Sequence, residues 1–213
     1  VSGYMAEEYG INKERFYHLL LSTLSKQGRE NVFDLALKKL NLYEKNIVLD
    51  MVNVYRNHIP NITVFKEAQE LLPKLKEKYR LGLITDGIKK VQETKVEALN
   101  IRDFFDVITY AIENGGKNND QPFLTTLERL KVKPLESIYV DNDPLKGFAA
   151  AKRLGIHTVR ILRGQNKNIE VADEQCKPEF EIHNLRQLFN VIFTVQKSEN
   201  ENNARQQKIL RLK

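Results

Sequence analysis

The segment Thr85-Asp86-Gly87 has the residue types of a phosphate-binding turn. It follows the apolar run Gly82-Leu-Ile and precedes a stretch of helical patterning from about residue 89 to 99. A hydroxyl and a glycine turn at a helix N-terminus make an anion site, because backbone N–H groups and the helix dipole both favour negative charge. A purely structural strand-to-helix turn would use the same residues, so both interpretations stay open.

A second polar segment, Asp141-Asn142-Asp143, follows the apolar run Ile138-Tyr-Val and precedes Pro144. Carboxylate oxygens are the ligands that Mg²⁺ prefers, so the two acids are candidate metal ligands. Acids before a proline are also typical of the start of a helix, where they cap it and favour its dipole. The sequence therefore leaves two readings open, a metal site and the cap of a helix that begins at Pro144.

The elements that must position these segments alternate in type. The patterning predicts strands at residues 80–85, 105–109, 137–141, 157–162 and 180–182, and helices at 89–99, 122–130, 144–154 and 185–193. Strands alternating with helices at this spacing indicate a parallel sheet covered on both faces. Ligands bind at the carboxyl ends of such strands, so Thr85, the loop after Tyr110 and the segment 141–143 are expected at one edge.

The N-terminal part of the chain has the apolar spacing of helices rather than an alternation of strands and helices. Apolar residues spaced three and four apart predict helices at about 13–25, 32–40, 44–55 and 64–78. Short helices with short connections are typical of a small bundle. We therefore predict a helical unit at 4–62, an α/β unit at 63–195 and a polar segment at 196–213. That last segment is expected to be flexible or a marginal exposed helix.

Three segments resemble, in this order, those of the haloacid dehalogenase-like (HAD-like) phosphohydrolases. They are Gly82-Leu-Ile-Thr-Asp-Gly, Lys117-Asn-Asn-Asp-Gln-Pro-Phe, and the stretch from Ser137 to Ile156. Residues 4–62 also resemble the small helical cap of that family. The resemblance implies an α/β fold, with a HAD-like Rossmannoid parallel sheet flanked by helices and a helical-bundle cap. It also implies phosphomonoester hydrolysis through an aspartyl phosphate.

The resemblance assigns roles to individual residues. Thr85 would hold the phosphoryl group, together with the backbone N–H groups of Asp86 and Gly87. Lys117 would neutralise charge on the phosphorylated intermediate, a role that suits a point charge on a flexible stem. The cap would close over a small phosphorylated metabolite, which is the expected substrate class.

The resemblance also implies Mg²⁺, with Asp141, Asn142 and Asp143 as the candidate ligands. The chain departs from the family pattern at this place. In gapless register the first metal-binding acid of the family falls on Asn142 and the second falls on Gly147. A proline that normally follows the family lysine is absent after Lys117. We therefore expect a weakened or unusual metal site.

The 213 residues contain no Asp-x-Asp-x-Thr sequence, which in the family supplies the nucleophile and the general acid–base. The strand that carries it is normally central, between the strands that end at Thr85 and Asp141. We expect the chain as given to be truncated or degenerate and inactive; the alternative is a non-catalytic HAD-like binding or scaffold protein. Unpaired strand edges are costly, so a homo-oligomer or a strand-donating partner is also expected.

Composition limits the partners further. The net charge is +6, but no basic stripe interleaved with aromatic residues occurs, so nucleic acid is not an expected partner. The basic balance is either a solvated surface or a means of steering anionic substrates. No apolar run of membrane-spanning length occurs, so no membrane is expected either. Cys176 is the one cysteine, and a reducing cytoplasmic location is the expectation.

Overall fold

The computed structural model describes residues 1–28 and 30–210, and only the backbone at 199–200 and 202–210. The chain divides into two compact units, the first Val1–Pro60 and the second from Asn61 onward. Part of the predicted polar segment 196–213 lies outside the described residues, at 211–213. The backbone of residues 196–210 is helical.

Short helices with a shared apolar core form the first unit. They are α1 (Ser2–Tyr9), α2 (Lys13–Gln27), α3 (Val32–Lys39) and α4 (Lys45–Asn57). The core consists of Met5, Phe16, Ala36, Leu37, Ile47 and Met51. The Asn12 side chain caps α2 by accepting the backbone N–H of Arg15. The apolar spacing predicts α2, α3 and α4 but not α1, whose eight residues bury only Met5.

Parallel strands and flanking helices form the second unit. The strands are β1 (Gly82–Thr85), β2 (Val107–Tyr110), β3 (Ile138–Asp141), β4 (His157–Ile161) and β5 (Phe180–Ile182). The helices are α5 (Lys66–Lys76), α6 (Lys89–Ala98), α7 (Gln121–Leu130), α8 (Phe148–Arg153) and α9 (Leu188–Leu210). Strand β1 pairs with β2, and β3, β4 and β5 pair in that order, all in parallel. The predicted α/β architecture is confirmed.

Two apolar clusters cover different faces of the strands. One joins α5 and α9 to β4 and β5, with Ile138 and Val140 of β3 packed against it. The other joins α7 to α8, with Ile84 of β1 and Tyr139 of β3 packed against it. Neighbouring residues of a strand point to opposite faces, so β3 sends Tyr139 to the α7–α8 face and its two aliphatic neighbours to the other.

Strands β1 and β3 are more exposed than their partners. Every residue of β3 is partly exposed, and β1 has no fully buried residue, whereas most of β2 and β4 is buried. Within the described residues β1 and β3 belong to separate sheets. The α7–α8 cluster contacts both strands, so helix packing rather than strand pairing keeps their carboxyl ends near each other.

One predicted boundary at this edge is wrong. The sequence predicts a helix that begins at Pro144, but α8 begins at Phe148. Gly147 has a φ of 82°, in the left-handed region that favours glycine, and residues 143–146 form a turn closed by the Lys146 N–H on the Asp143 carbonyl. The acids before Pro144 therefore do not cap a helix that starts there. No helix in the described part of the chain is long and apolar enough to cross a membrane.

Candidate active site

The ammonium group of Lys117 lies 2.6 Å from the Asp141 carboxylate. Lys117 follows two glycines with positive φ, Gly115 and Gly116, which turn the loop after β2 toward the end of β3. The side chains of Lys117 and Asp141 are 15% and 12% exposed. The sequence-predicted lysine and the first residue of the acidic segment are therefore together at the carboxyl ends of the strands.

The Asp141 carboxylate has three further hydrogen-bond partners. Its Oδ2 accepts the Tyr139 hydroxyl at 2.6 Å, and its Oδ1 accepts the backbone N–H groups of Asn142 at 2.7 Å and Asp143 at 3.1 Å. Burial by itself would raise the pKa of this carboxyl. The charge and hydrogen bond of Lys117, with the hydroxyl and N–H donors, outweigh that effect and lower the pKa below its ordinary value. Asp141 is therefore a carboxylate in a closed polar network.

Tyr139 is the hydroxyl partner in this network and is held on both sides by aromatic rings. Its ring makes edge contacts with Phe123 of α7 and Phe148 of α8, at centroid distances of 5.0 and 5.5 Å. Burial, followed by the adjacent Asp141 charge, raises its pKa well above the ordinary value of a tyrosine. The hydroxyl therefore stays protonated and donates to Asp141.

A second lysine–aspartate pair lies beside the first. Lys146 Nζ is 3.5 Å from Asp86 Oδ2, in the turn after β1. Gly116 lies against the same carboxylate, since a β-carbon on it would be 3.8 Å from Asp86 Oδ1. The turn after β1, the loop of Lys117 and the turn after β3 are thus in mutual contact, as the sequence predicts for this edge.

Thr85, at the end of β1, donates its hydroxyl to Gln92 Oε1 of α6 at 2.9 Å. Gly87 has a φ of 110°, and a β-carbon there would be 2.9 Å from the Gln92 amide nitrogen. Gln92 thereby fixes both the hydroxyl and the turn that the sequence singles out. The Thr85 oxygen keeps acceptor capacity, but its hydrogen already has a partner.

The loop of Lys117 is anchored on its far side as well. Asn118 accepts the Gly147 N–H through its side chain at 3.1 Å, which ties this loop to the turn after β3. Arg153 of α8 donates to the Asn118 carbonyl and pairs with Asp120 at 2.6 Å. These contacts restrict where the Lys117 backbone can lie.

The oxygen atoms near Asp141 that could act as metal ligands do not fit a magnesium ion in this arrangement. The four acceptor positions of Asp141 are taken by Lys117, Tyr139 and two N–H groups. Asp143 Oδ1 accepts the Leu145 N–H at 3.1 Å, and Asn142 contributes only a neutral amide. Within the described residues no group of three His, Cys, Asp or Glu side chains could hold a metal. Mg²⁺ favours carboxylate oxygens in octahedral geometry, and this set offers few of them.

Sequence reasoning missed Tyr139, Lys146, Gln92 and Asn118 as members of the site. A signal existed for Tyr139, because a residue two before Asp141 on a strand shares its face. No such spacing rule marks Lys146, Gln92 or Asn118, whose positions depend on how turns from three strands meet.

Comparisons with known proteins give archaeal phosphatases as relatives of this chain. The glyceraldehyde 3-phosphate phosphatase of Methanopyrus kandleri is 30% identical over 193 residues, which cover 87% of this chain and 82% of the relative. The phosphatase of the same name from Methanocaldococcus jannaschii is 31% identical over 167 residues, covering 77% and 72%. Both relatives therefore align with most of their own length.

Solved structures of HAD proteins resemble this fold. A HAD phosphatase from Thermococcus onnurineus has a TM-score of 0.59 at 24% identity, covering 90% of this chain and 86% of that one. A magnesium-bound HAD-hydrolase, YfnB from Bacillus subtilis, has a TM-score of 0.65 at 15% identity, covering 89% of this chain and 88% of that one. The model of the haloacid dehalogenase-like hydrolase family matches residues 5–161. The chain belongs to the haloacid dehalogenase-like hydrolase family.

Proposed function

We propose that the carboxyl edge of β1 and β3 is the phosphate-binding half of a phosphomonoester hydrolase site. The observation that carries the proposal is the Lys117–Asp141 pair, which lies beside the turn after β1 through Gly116 and Asp86. Lys117 has two N–H donors beyond the one it gives to Asp141. A phosphoryl group at this edge would accept from Lys117 and from the backbone N–H groups of Asp86 and Gly87.

The proposed substrate is a small phosphorylated metabolite. The archaeal relatives are named glyceraldehyde 3-phosphate phosphatases, and a Thermus thermophilus relative is named phosphoserine phosphatase. Glyceraldehyde 3-phosphate is therefore the first substrate to test. A single phosphate on a short carbon chain suits a site that offers two lysine ammonium groups and a turn of backbone N–H groups as hydrogen-bond donors.

We further propose that residues 1–213 alone bind such a ligand without turning it over. Their sequence contains no Asp-x-Asp-x-Thr, and Asp141 is held by Lys117 and Tyr139 rather than free to attack phosphorus. Strands β1 and β3 each have one paired strand within the described residues. A strand that carries the nucleophile, from this polypeptide or from a partner, would pair between them.

A non-catalytic scaffold role is the second candidate. It is favoured by Asn142 and Gly147, which stand where the resemblance expects metal-binding acids. The two candidates differ in one measurable property, since a scaffold that has given up the chemistry has no need of a phosphate site.

Phosphate binding by residues 1–213 tests the proposal. We expect inorganic phosphate and glyceraldehyde 3-phosphate to bind, as followed by ³¹P NMR line broadening. Lys117→Met should weaken binding at least about tenfold, because a charge-assisted hydrogen bond contributes about 1.5–3 kcal/mol. Lys133→Met is the matched control, since Lys133 is 82% exposed in a surface pair.

A second variant and an activity assay complete the test. Thr85→Val removes the hydroxyl at the end of β1 while keeping the shape of the side chain. That hydroxyl would have to turn from Gln92 to donate to the phosphoryl group, so its loss should weaken phosphate binding by no more than about fivefold. No phosphate binding by the folded chain would favour the scaffold role. Release of phosphate from glyceraldehyde 3-phosphate by residues 1–213, lost in Lys117→Met, would show that a nucleophile is present after all.

A further inference from the structure

The position where the family pattern expects its second metal-binding acid is closed to any side chain. Gly147 stands there with a φ of 82°, and a β-carbon on it would lie 2.5 Å from the Tyr139 hydroxyl oxygen. Real β-carbons do not approach that closely, and a left-handed φ is strained for other residues. The tyrosine hydroxyl therefore occupies the space beside Gly147.

Tyr139 cannot easily move aside. Its ring is packed between Phe123 and Phe148, both of which are almost completely buried. Its hydroxyl is bound to Asp141 at 2.6 Å. Restoring an acid at position 147 would require repacking two helices, because well-packed interiors do not absorb added volume.

Two carboxylates at this edge, those of Asp141 and Asp86, are each paired with a lysine. Asp141 pairs with Lys117 and Asp86 pairs with Lys146, at 2.6 and 3.5 Å. A divalent cation near either carboxylate would be repelled by the adjacent ammonium group and would have to displace it. A phosphate dianion can instead accept hydrogen bonds from these ammonium groups, since each keeps N–H donors beyond the one that faces its aspartate.

Lys146 is well suited to reach such an anion. Its side chain is 48% exposed, so the ammonium group is accessible and pivots on a flexible stem. Its backbone is held by the turn of residues 143–146, and Asp86 orients its head toward the turn after β1. It therefore borders the same edge as Thr85 and Lys117.

We propose that this site binds its phosphate ligand without a divalent cation, with Lys146 supplying, beside Lys117, the positive charge that a metal would otherwise provide. The inference rests on the proposed phosphate site and adds to it the charge that holds the ligand. It makes Lys146 a binding residue, although the sequence resemblance gives it no role. Tyr139 becomes a positioning residue that keeps Asp141 and Gly147 in place.

The test compares phosphate affinity of the full chain in excess EDTA and in millimolar MgCl₂, using ³¹P NMR with inorganic phosphate. We expect affinities that agree within about twofold. Lys146→Met should weaken binding about tenfold in both buffers, and the control Lys133→Met should leave it unchanged. Circular dichroism verifies that each variant is folded.

Each other outcome overturns a defined part of the reasoning. Phosphate binding that strengthens by more than about twofold in MgCl₂ would overturn the inference and leave the proposed phosphate site intact. Unchanged affinity in folded Lys146→Met would overturn the role of Lys146. No phosphate binding in either buffer would overturn the proposed function, and the inference with it.

Discussion

Replacing Lys117 by Met would leave the Asp141 carboxylate buried without its cation. Removing one partner of a buried ion pair costs about 3–5 kcal/mol, because the remaining charge is uncompensated. The Asp141 side chain is only 12% exposed, but it keeps the Tyr139 hydroxyl and two backbone N–H donors. We therefore expect the low end, a destabilisation of about 3 kcal/mol at neutral pH. Lys133→Met, which breaks an exposed pair, should cost under about 1 kcal/mol.

The loss of stability in Lys117→Met should depend on pH in a defined direction. In the native chain the pKa of Asp141 is lowered, so its stabilising effect is present above the ordinary carboxyl pKa and is lost as pH falls through the lowered folded value. Without Lys117 fewer groups counteract the effect of burial, so the pKa of Asp141 shifts upward. The variant then gains relative stability as protons neutralise Asp141. The stability gap between the two proteins should shrink from neutral pH to about pH 4.

Hydrogen exchange measured on peptides of residues 138–161 reports the stability of β3 and β4 locally. A local measurement is needed because the chain has two compact units, and a global denaturation curve would combine them. Near neutral pH the protection of β3 and β4 amides should fall about a hundredfold in Lys117→Met, after correction for intrinsic exchange. A gap that stays constant or widens toward low pH would refute the assignment of Asp141 as a lysine-stabilised carboxylate. Equal effects of Lys117→Met and Lys133→Met would refute the buried pair itself.

Two further substitutions test the packing around the network by urea denaturation. Gly147→Ala should cost about 1–3 kcal/mol more than Gly164→Ala, since both have positive φ but only the first meets Tyr139 within 3 Å. Equal losses of stability in the two variants would mean that Tyr139 moves aside for the added methyl group. Phe123→Ala should cost about 3–5 kcal/mol because Phe123 is 2% exposed in the α7–α8 cluster. Leu124→Ala, at a residue that is 42% exposed, should cost under about 1 kcal/mol, and a similar cost for both would contradict the assigned core.

The parallel architecture was predictable because its signals are local. Short apolar runs such as that before Thr85 alternate with helical periodicity, and both patterns depend only on near neighbours in sequence. The grouping of Thr85, Lys117 and Asp141 at one edge followed from the rule that parallel strands end on the same side. Both parts of the reasoning agree with the structure: the strands are parallel, and Lys117 contacts Asp141.

The start of α8 was not predictable from the same signals. Pro144 is a good first helical residue, but Gly147 takes a left-handed conformation that a helix cannot contain. The reason lies in tertiary contacts, since Tyr139 fills the space that a side chain at 147 would need and Asn118 binds the Gly147 N–H. Contacts between residues about 8 and 29 positions apart in sequence leave no periodic trace.

The site residues are assembled by helix packing more than by the strands that carry them. Strands β1 and β3 are not hydrogen-bonded to each other within the described residues, yet Ile84 and Tyr139 pack on the same α7–α8 cluster. The Lys146–Asp86 pair then joins the turns after these two strands, and the Lys117–Asp141 pair joins the loop after β2 to the end of β3. Because hydrophobic packing fixes the strands and lysines fix the turns, the carboxyl edge of β1 and β3 can hold its geometry while, within the described residues, one side of each strand stays unpaired. Lys117 and Lys146 therefore hold the loops of this edge together, and in the proposed phosphate site they would also supply the positive charge for the ligand.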